Sequence, residues 1–569
     1  MKRIALLLLL SAAPLLRAAA PADTIRARDC GILPDSGADC TEAVRSMLAS
    51  TGGDCVIVFD RGRYDFTRES ATAEKVFISN TSSEEECPDK TKHFGVWISG
   101  KKNLRIVGDG TLWVFHGDMT PIGIDRSSGI ALCGIDVDFE RPGGSEMTYT
   151  EVGKGYAVCR LHKDSRYQIT GGRLELVGEG WKSEKVHCIK YTPSDGHFTY
   201  SRDWRVLSGC AAEELGPGLI RFITPEDFTP EVGTTLTLRD IIRREVGTLI
   251  QYSCDVTLKG MHYQYMHGLG VISQYARDVT VTGCEFAPDP ASGRLLASSA
   301  DFLHFSGCSG HIAVTNCSFC GAQDDCINVH GTNLRIMEAG GKTLKVRFMH
   351  PQSYGYDAFR TGEEVAFVDP ERMVRYFRAR VTGVSRLSDR EIELTLDRNV
   401  PEELVLERDC LENMTCTPDV YIARNTFTRT STRGVLVTTP RKVVIEDNDF
   451  ISTGMSAILI ESDALDWFES GPVRNVTIRR NTFTDCAFNG GPDHAAIGIN
   501  PSNTIVGADF PVHRNIRITG NKFELRYGPA LSAKSARGLT FKGNAVGRDD
   551  ASILWGCSKV KTDFPYIEK

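Results

Sequence analysis

The sequence predicts an all-β chain, a right-handed parallel β-helix with two small inserted β-barrel-like domains and a short N-terminal capping helix. An eight-residue phrase of alternating apolar positions, closed by a small or polar pair and an aromatic, recurs as VTLKGMHY (256–263), VTVTGCEF (279–286), IAVTNCSF (312–319), VYIARNTF (420–427), VVIEDNDF (443–450), VTIRRNTF (476–483), IRITGNKF (516–523) and LTFKGNAV (539–546). Outside one long gap its starts are 23, 33, 23, 33, 40 and 23 residues apart. A spacing of 23 is one coil of a β-helix, and larger values are coils with extended turns. Each coil buries its alternating face only by stacking on its neighbours. The 54 glycines and the Val, Ile and Thr runs agree with β structure rich in turns.

From the start of the chain, residues 1–20 read as a secretory signal. Lys2 and Arg3 are the charged end, Ile4–Leu10 the apolar run, and Ala18, Ala19 and Ala20 the cleavage region. The apolar run is too short to span a bilayer and no later stretch does so, which predicts a periplasmic or secreted protein. Residues 21–137 hold a cap and the first coils. DSGADCTEAVRSMLAST forms a turn and an amphipathic helix, with Asp39 or Thr41 as N-cap, covering the open end of the coil stack. Fainter copies of the phrase start at Leu104 and Ile130. Residues 138–255 and 331–419 interrupt the repeat and contain short alternating strands such as GGRLELVG and GKTLKVRF, which predict two inserted β domains. Coils occupy 256–330 and 420–569. The inserted domains also offer surface for a homodimer contact.

Asn425, Asn448, Asn481, Asn521 and Asn544 share one place in the phrase and are expected to stack as a ladder, with Cys284 and Cys317 in that place earlier. Among the 18 cysteines, Cys30, Cys40 and Cys55 near the mature N-terminus, and Cys410 with Cys416, are expected disulfide candidates in an exported chain. No spacing makes a zinc site. The balance of 66 Lys+Arg against 73 Asp+Glu leaves no basic face that would bind nucleic acid.

A second strand per coil runs through 270–275, 301–305, 326–330, 434–439, 457–462 and 496–500. Its polar members Gln274, His304, Asn328, His330, Glu461 and Asn500 look like one wall of a groove, and all but Asn500 are candidate substrate contacts. Asp301 precedes Gln323-Asp324-Asp325 by one coil, so three carboxylates meet on one face. Like charges this close keep a proton on one group while others ionise. Glycoside hydrolysis by inversion needs that division, an acid for the leaving oxygen and a base for water. A hard cation such as calcium, or a purely structural role, is the competing account of such a cluster. Arg433, at the start of a groove strand, is a candidate fork onto sugar hydroxyls or a carboxylate. Trp467 offers an aromatic face for a sugar ring.

The aspartate one coil ahead of an Asp-Asp-Cys-Ile motif resembles polygalacturonase-type β-helix hydrolases. By that resemblance Asp324 matches the general acid, while Asp301 and Asp325 match the pair that positions and activates water. The Gly-His-Gly and Arg-x-Lys elements that hold a uronate in those enzymes have no counterpart in place here, which turns the expected substrate toward neutral sugars. PDSGADCTEAV, AQDDCINVHGT, TRGVLVTTPRKVVIEDNDF and ILIESDALDWFESGPVRNVTI are similar to glycoside hydrolase family 110, the bacterial α-1,3-galactosidases. That resemblance implies exo-hydrolysis of terminal α-1,3-linked galactose on an oligosaccharide or glycoconjugate, with inversion and without an organic cofactor. A pectinase-like hydrolase, a calcium-dependent polysaccharide lyase and a non-catalytic glycan-binding adhesin are the alternatives.

Overall fold

The computed structural model describes residues 23–490, 495–547 and 552–568; the expected signal at 1–20 lies outside them. Among the described residues no helix is long and apolar enough to cross a membrane.

The phrases stack in register as one long parallel sheet. Leu104, Ile130, Val256, Val279, Ile312, Val420, Val443, Val476, Ile516 and Leu539 form a single column. Their side chains are buried in one continuous core, each contributing about 1.5–3 kcal/mol by leaving water. Each phrase then turns through one residue with positive φ, either a glycine (Gly260, Gly283, Gly520, Gly543) or a polar residue (Asn316, Arg424, Asp447, Arg480). At the non-glycine positions this conformation costs about 1–2 kcal/mol.

The next residue offsets that cost. Asn425, Asn448, Asn481 and Asn521 each donate through Nδ2 to the Oδ1 of the asparagine one coil on, at 2.9–3.0 Å. Cys317 continues the ladder by donating its backbone N–H to Asn425 Oδ1 at 2.9 Å. Two residues further on, the phrases from 256 to 523 place an aromatic inward. Tyr263, Phe286, Phe319, Phe427, Phe450, Phe483 and Phe523 stack with centroids 4.6–5.3 Å apart.

The second strands form the opposite wall, where Val271–Gln274, Leu303–Ser306, Ile327–Val329, Val435–Val437, Ile458–Ile460 and Ile497–Ile499 pair in parallel. Thr248–Gln251 belongs to this wall, between Ile122–Asp125 and Val271–Gln274. The helix therefore resumes at Thr248 and not at 256. Between them, Gly144–Asp240 carries a seven-stranded antiparallel sheet with its own core. The later insertion is a closed six-stranded antiparallel barrel whose first strand, Ile327–Gly340, leaves the coil without a break. The coils meet across it, since Ile327 pairs with Val435.

A helix over Thr41–Ser50 covers the open end with Val44, Met47 and Leu48 buried. The expected cap is displaced by one position. Cys40 occupies the N-cap, and Asp39 Oδ1 accepts from Thr41 N at 2.9 Å. The disulfide expectation is overturned, because all 18 cysteines are free. Cys40 and Cys55 pack in the coil core, while Cys410 and Cys416 belong to two different apolar clusters.

Candidate active site

Asp301, Asp325 and Arg433 each stand two residues before a strand of the second wall. Leu303 pairs with Ile327 and Ile327 with Val435, so these three form one column across consecutive coils, with strands about 4.8 Å apart. The local coil is 24 residues long, as Ser298 pairs with Ala322. Asp301 thus lies beside Asp325, not beside Asp324 as a coil of 23 predicts. Arg433 closes the column, with Nη1 3.2 Å from both Asp325 oxygens and its backbone N–H directed at Oδ1. Of the two partners expected for this arginine, sugar hydroxyls or a carboxylate, a carboxylate is in place.

Asp324 meets Arg243 Nη2 at 3.1 Å, while Arg243 Nη1 donates to the Asn80 carbonyl. The residue before it is gripped by the inserted sheet. Gln323 Oε1 accepts from Arg239 Nε, and Gln323 Nε2 donates to Thr237 Oγ1 at 2.7 Å. The first inserted domain thereby fixes the Asp-Asp turn from outside the helix. Asp324 has 31% of its side chain exposed, against 5% for Asp301 and 3% for Asp325. Only Asp324 presents itself openly to a ligand.

The trio lines a cavity of about 390 Å³, within the usual range for small-molecule sites. Burial, then the negative charges of Asp324 and Asp325, hold the Asp301 carboxyl well above the ordinary carboxylate range. Burial also pushes Asp325 up to about 7, against the opposing charge of Arg433. Burial, helped by His330 and Arg243, lowers His304 well below the usual histidine value and keeps it neutral.

Of the sequence candidates, His304, Asn328, Arg433, Glu461 and Trp467 line this cavity with the aspartates, as does Asn500. Asn328 Oδ1 is buried without a hydrogen-bond partner. Trp467 stacks on His350 of the second inserted domain, centroids 4.3 Å apart, and remains 41% exposed. Two candidates fall outside the cavity lining. Gln274 is fully buried because residues 77–79 lie over it. Its Oε1 accepts from Ser79 N and its Nε2 donates to the Phe77 carbonyl. His330 sits behind His304, covered where Glu469–Ser470 pairs with Gly331–Thr332.

Sequence reasoning missed Arg243, Asn80, Asp463, Asp466 and Glu469, which also line the cavity. Asp463 shapes the loop that carries Trp467 by accepting from the backbone of Leu465, Asp466 and Phe468 at 2.9–3.0 Å. The one available signal for Arg243 was the basic run at 239–244, which ends the inserted domain.

Three clustered carboxylates, one open and two buried, set in a sugar-sized cavity on a parallel β-helix, define a glycoside hydrolase. The chain matches the family models described as GLAA-B beta-barrel domain I over 145–236, GLAA-B beta-barrel domain II over 343–411 and right handed beta helix region over 413–558. It is 50% identical over 531 residues to alpha-1,3-galactosidase A of Bacteroides fragilis (strain YCH46), covering 93% of this chain and 88% of that one. It is 36% identical over 526 residues to alpha-1,3-galactosidase A of Bacteroides thetaiotaomicron, covering 90% of each. Among solved structures, a family 28 exopolygalacturonase of Yersinia enterocolitica aligns with TM-score 0.42 and 12% identity, over 97% of this chain and 78% of that one. The chain belongs to the α-1,3-galactosidase family, glycoside hydrolase family 110.

Proposed function

We propose that this enzyme removes terminal α-1,3-linked galactose from oligosaccharides or glycoconjugates, exo-acting and with inversion at the anomeric carbon. The observation that carries the reading is the asymmetric aspartate trio. The accessible carboxyl of Asp324 meets the glycosidic oxygen as acid, and Asp325, titrating near 7, takes the proton of the attacking water. A general base works best when its pKa lies near the operating pH. Asp301 orients that water from the adjacent coil. Asn328 Oδ1 accepts from a sugar hydroxyl, and Trp467 with His350 forms an aromatic platform at the rim. Blood-group B ends and linear α-galactosyl ends both present this linkage. The signal-like residues 1–20 support export to the periplasm or the medium, where such glycans are met.

Proton NMR during the first turnovers tests the proposal. Galactose should appear first as the β anomer and equilibrate afterwards; initial release of α-galactose would exclude inversion. A side-by-side assay of a fucose-branched and an unbranched α-1,3-galactoside then assigns the preferred end.

A further inference from the structure

Behind the trio runs a chain of close polar contacts that the reaction scheme leaves unused. Asp301 Oδ2 lies 2.7 Å from His304 Nδ1, His304 Nε2 lies 2.8 Å from His330 Nε2, and His330 Nδ1 lies 2.7 Å from the Gly331 carbonyl oxygen. All three side chains are buried. The far end sets the direction, because a carbonyl oxygen can only accept. His330 Nδ1 therefore carries a hydrogen, and in the neutral ring Nε2 is then an acceptor. His304 must donate from Nε2, which leaves its Nδ1 a bare lone pair. The group facing that lone pair at 2.7 Å is Asp301, which has to supply the hydrogen.

We propose that His304 and His330 form a polarised hydrogen-bond chain that keeps a proton on Asp301 in the resting enzyme, leaving Asp325 as the carboxylate that activates water. The assignment of Asp325 rests on the hydrolase reading above; the proton on Asp301 does not. Two other arrangements have the same number of protons. Moving the Asp301 hydrogen to His304 Nδ1 gives an aspartate anion beside a His304 cation, and moving the His304 Nε2 hydrogen on to His330 as well places the cation there. Each of these forms puts two ions in a buried site, where desolvation penalises both.

The charged groups facing the chain are Asp324, Asp325, Arg243 and Glu469. Two of the three acidic ones lie against Asp301 and disfavour a further negative charge there. Glu469 Oε1 stands 3.6 Å from His330 Nε2 and is taken up at 2.7 Å by Asn80 Nδ2. The upward shift of Asp301 and the downward shift of His304 agree with the neutral form.

Infrared difference spectroscopy on the substrate-free enzyme, at a pH above the titration of Asp325, reads the proton directly. The wild type should show a carboxylic-acid C=O band that Asp301→Asn removes. His330→Gln can still accept from His304 and donate to Gly331, so it should retain the band. His330→Leu has no acceptor; His304 then changes tautomer, Asp301 ionises and the band is lost. The new charge beside Asp325 should move the acidic limb of kcat/KM about one pH unit upward in His330→Leu and leave it in place in His330→Gln. Absence of a band sensitive to Asp301→Asn, or a band that survives in His330→Leu, overturns the proposal. The infrared arm needs no turnover, so a protein that shows the band and releases no galactose refutes the assigned reaction and not the proton chain.

Discussion

Replacing Arg433 by Met removes a cation in contact with the Asp325 carboxylate, whose oxygens both lie 3.2 Å from Nη1. Two unit charges with centres ~4 Å apart interact by about 4 kcal/mol at an effective dielectric near 20. At about 1.4 kcal/mol per unit this corresponds to roughly three pKa units. Water entering the space of the lost side chain lowers the figure, so a rise of about 1–2 units is expected. Asp325 already titrates near 7. A base works only when ionised, so the acidic limb of kcat/KM should move upward, and activity should fall about 5–50-fold at neutral pH. Raising the pH should recover part of that loss. The assay is the pH profile of galactose release from an α-1,3-galactoside, with circular dichroism to confirm folding. A uniform loss across the profile, with the limb unmoved, would refute the assignment of Asp325 as base and of Arg433 as the group that tunes it.

Two further substitutions separate chemistry from architecture. Asp324→Asn should lower turnover of natural disaccharide ends by about 10²–10⁴-fold yet largely spare a dinitrophenyl α-galactoside, whose leaving group needs no proton; equal loss on both substrates would contradict its role as acid. Asn448→Ala leaves the Ile422 carbonyl and the Asn425 N–H groups without partners, a loss of about 3–5 kcal/mol. A lowered denaturant midpoint should report it, and a change below about 1 kcal/mol would show that the ladder contributes little.

The coil stack was legible because its signals are local. An inward column, a left-handed turn residue, an asparagine and an aromatic recur within each phrase and specify the same register. The aspartates became visible through that register, although a coil of 24 residues in place of 23 made Asp301 the neighbour of Asp325 in particular. Arg243 and Asn80 were hidden for the opposite reason. They reach the cavity from segments outside the repeat, 239–244 and 79–83, and no periodicity indicates where such segments return. His330 and Gln274 mark a third limit. Alternation correctly puts them on the outer face of the second wall, as it does Asn328. Whether that face meets solvent depends on what covers it, here residues 77–79 and 469–470.

Asp325 and Arg433 are separated by 108 residues of chain and by one coil in space. The reason is the six-stranded barrel between them. Closing an open loop of that length costs roughly 4 kcal/mol in chain entropy. When the barrel has formed, Leu334 already pairs with Leu411, so only short tethers remain to be brought together. The barrel therefore acts as a clasp, and once it has closed the coil bearing Arg433 docks on the coil bearing Asp325 at a lower entropic cost. Weakening the barrel core far from the cavity would slow the appearance of activity during refolding more than it would alter the activity finally reached.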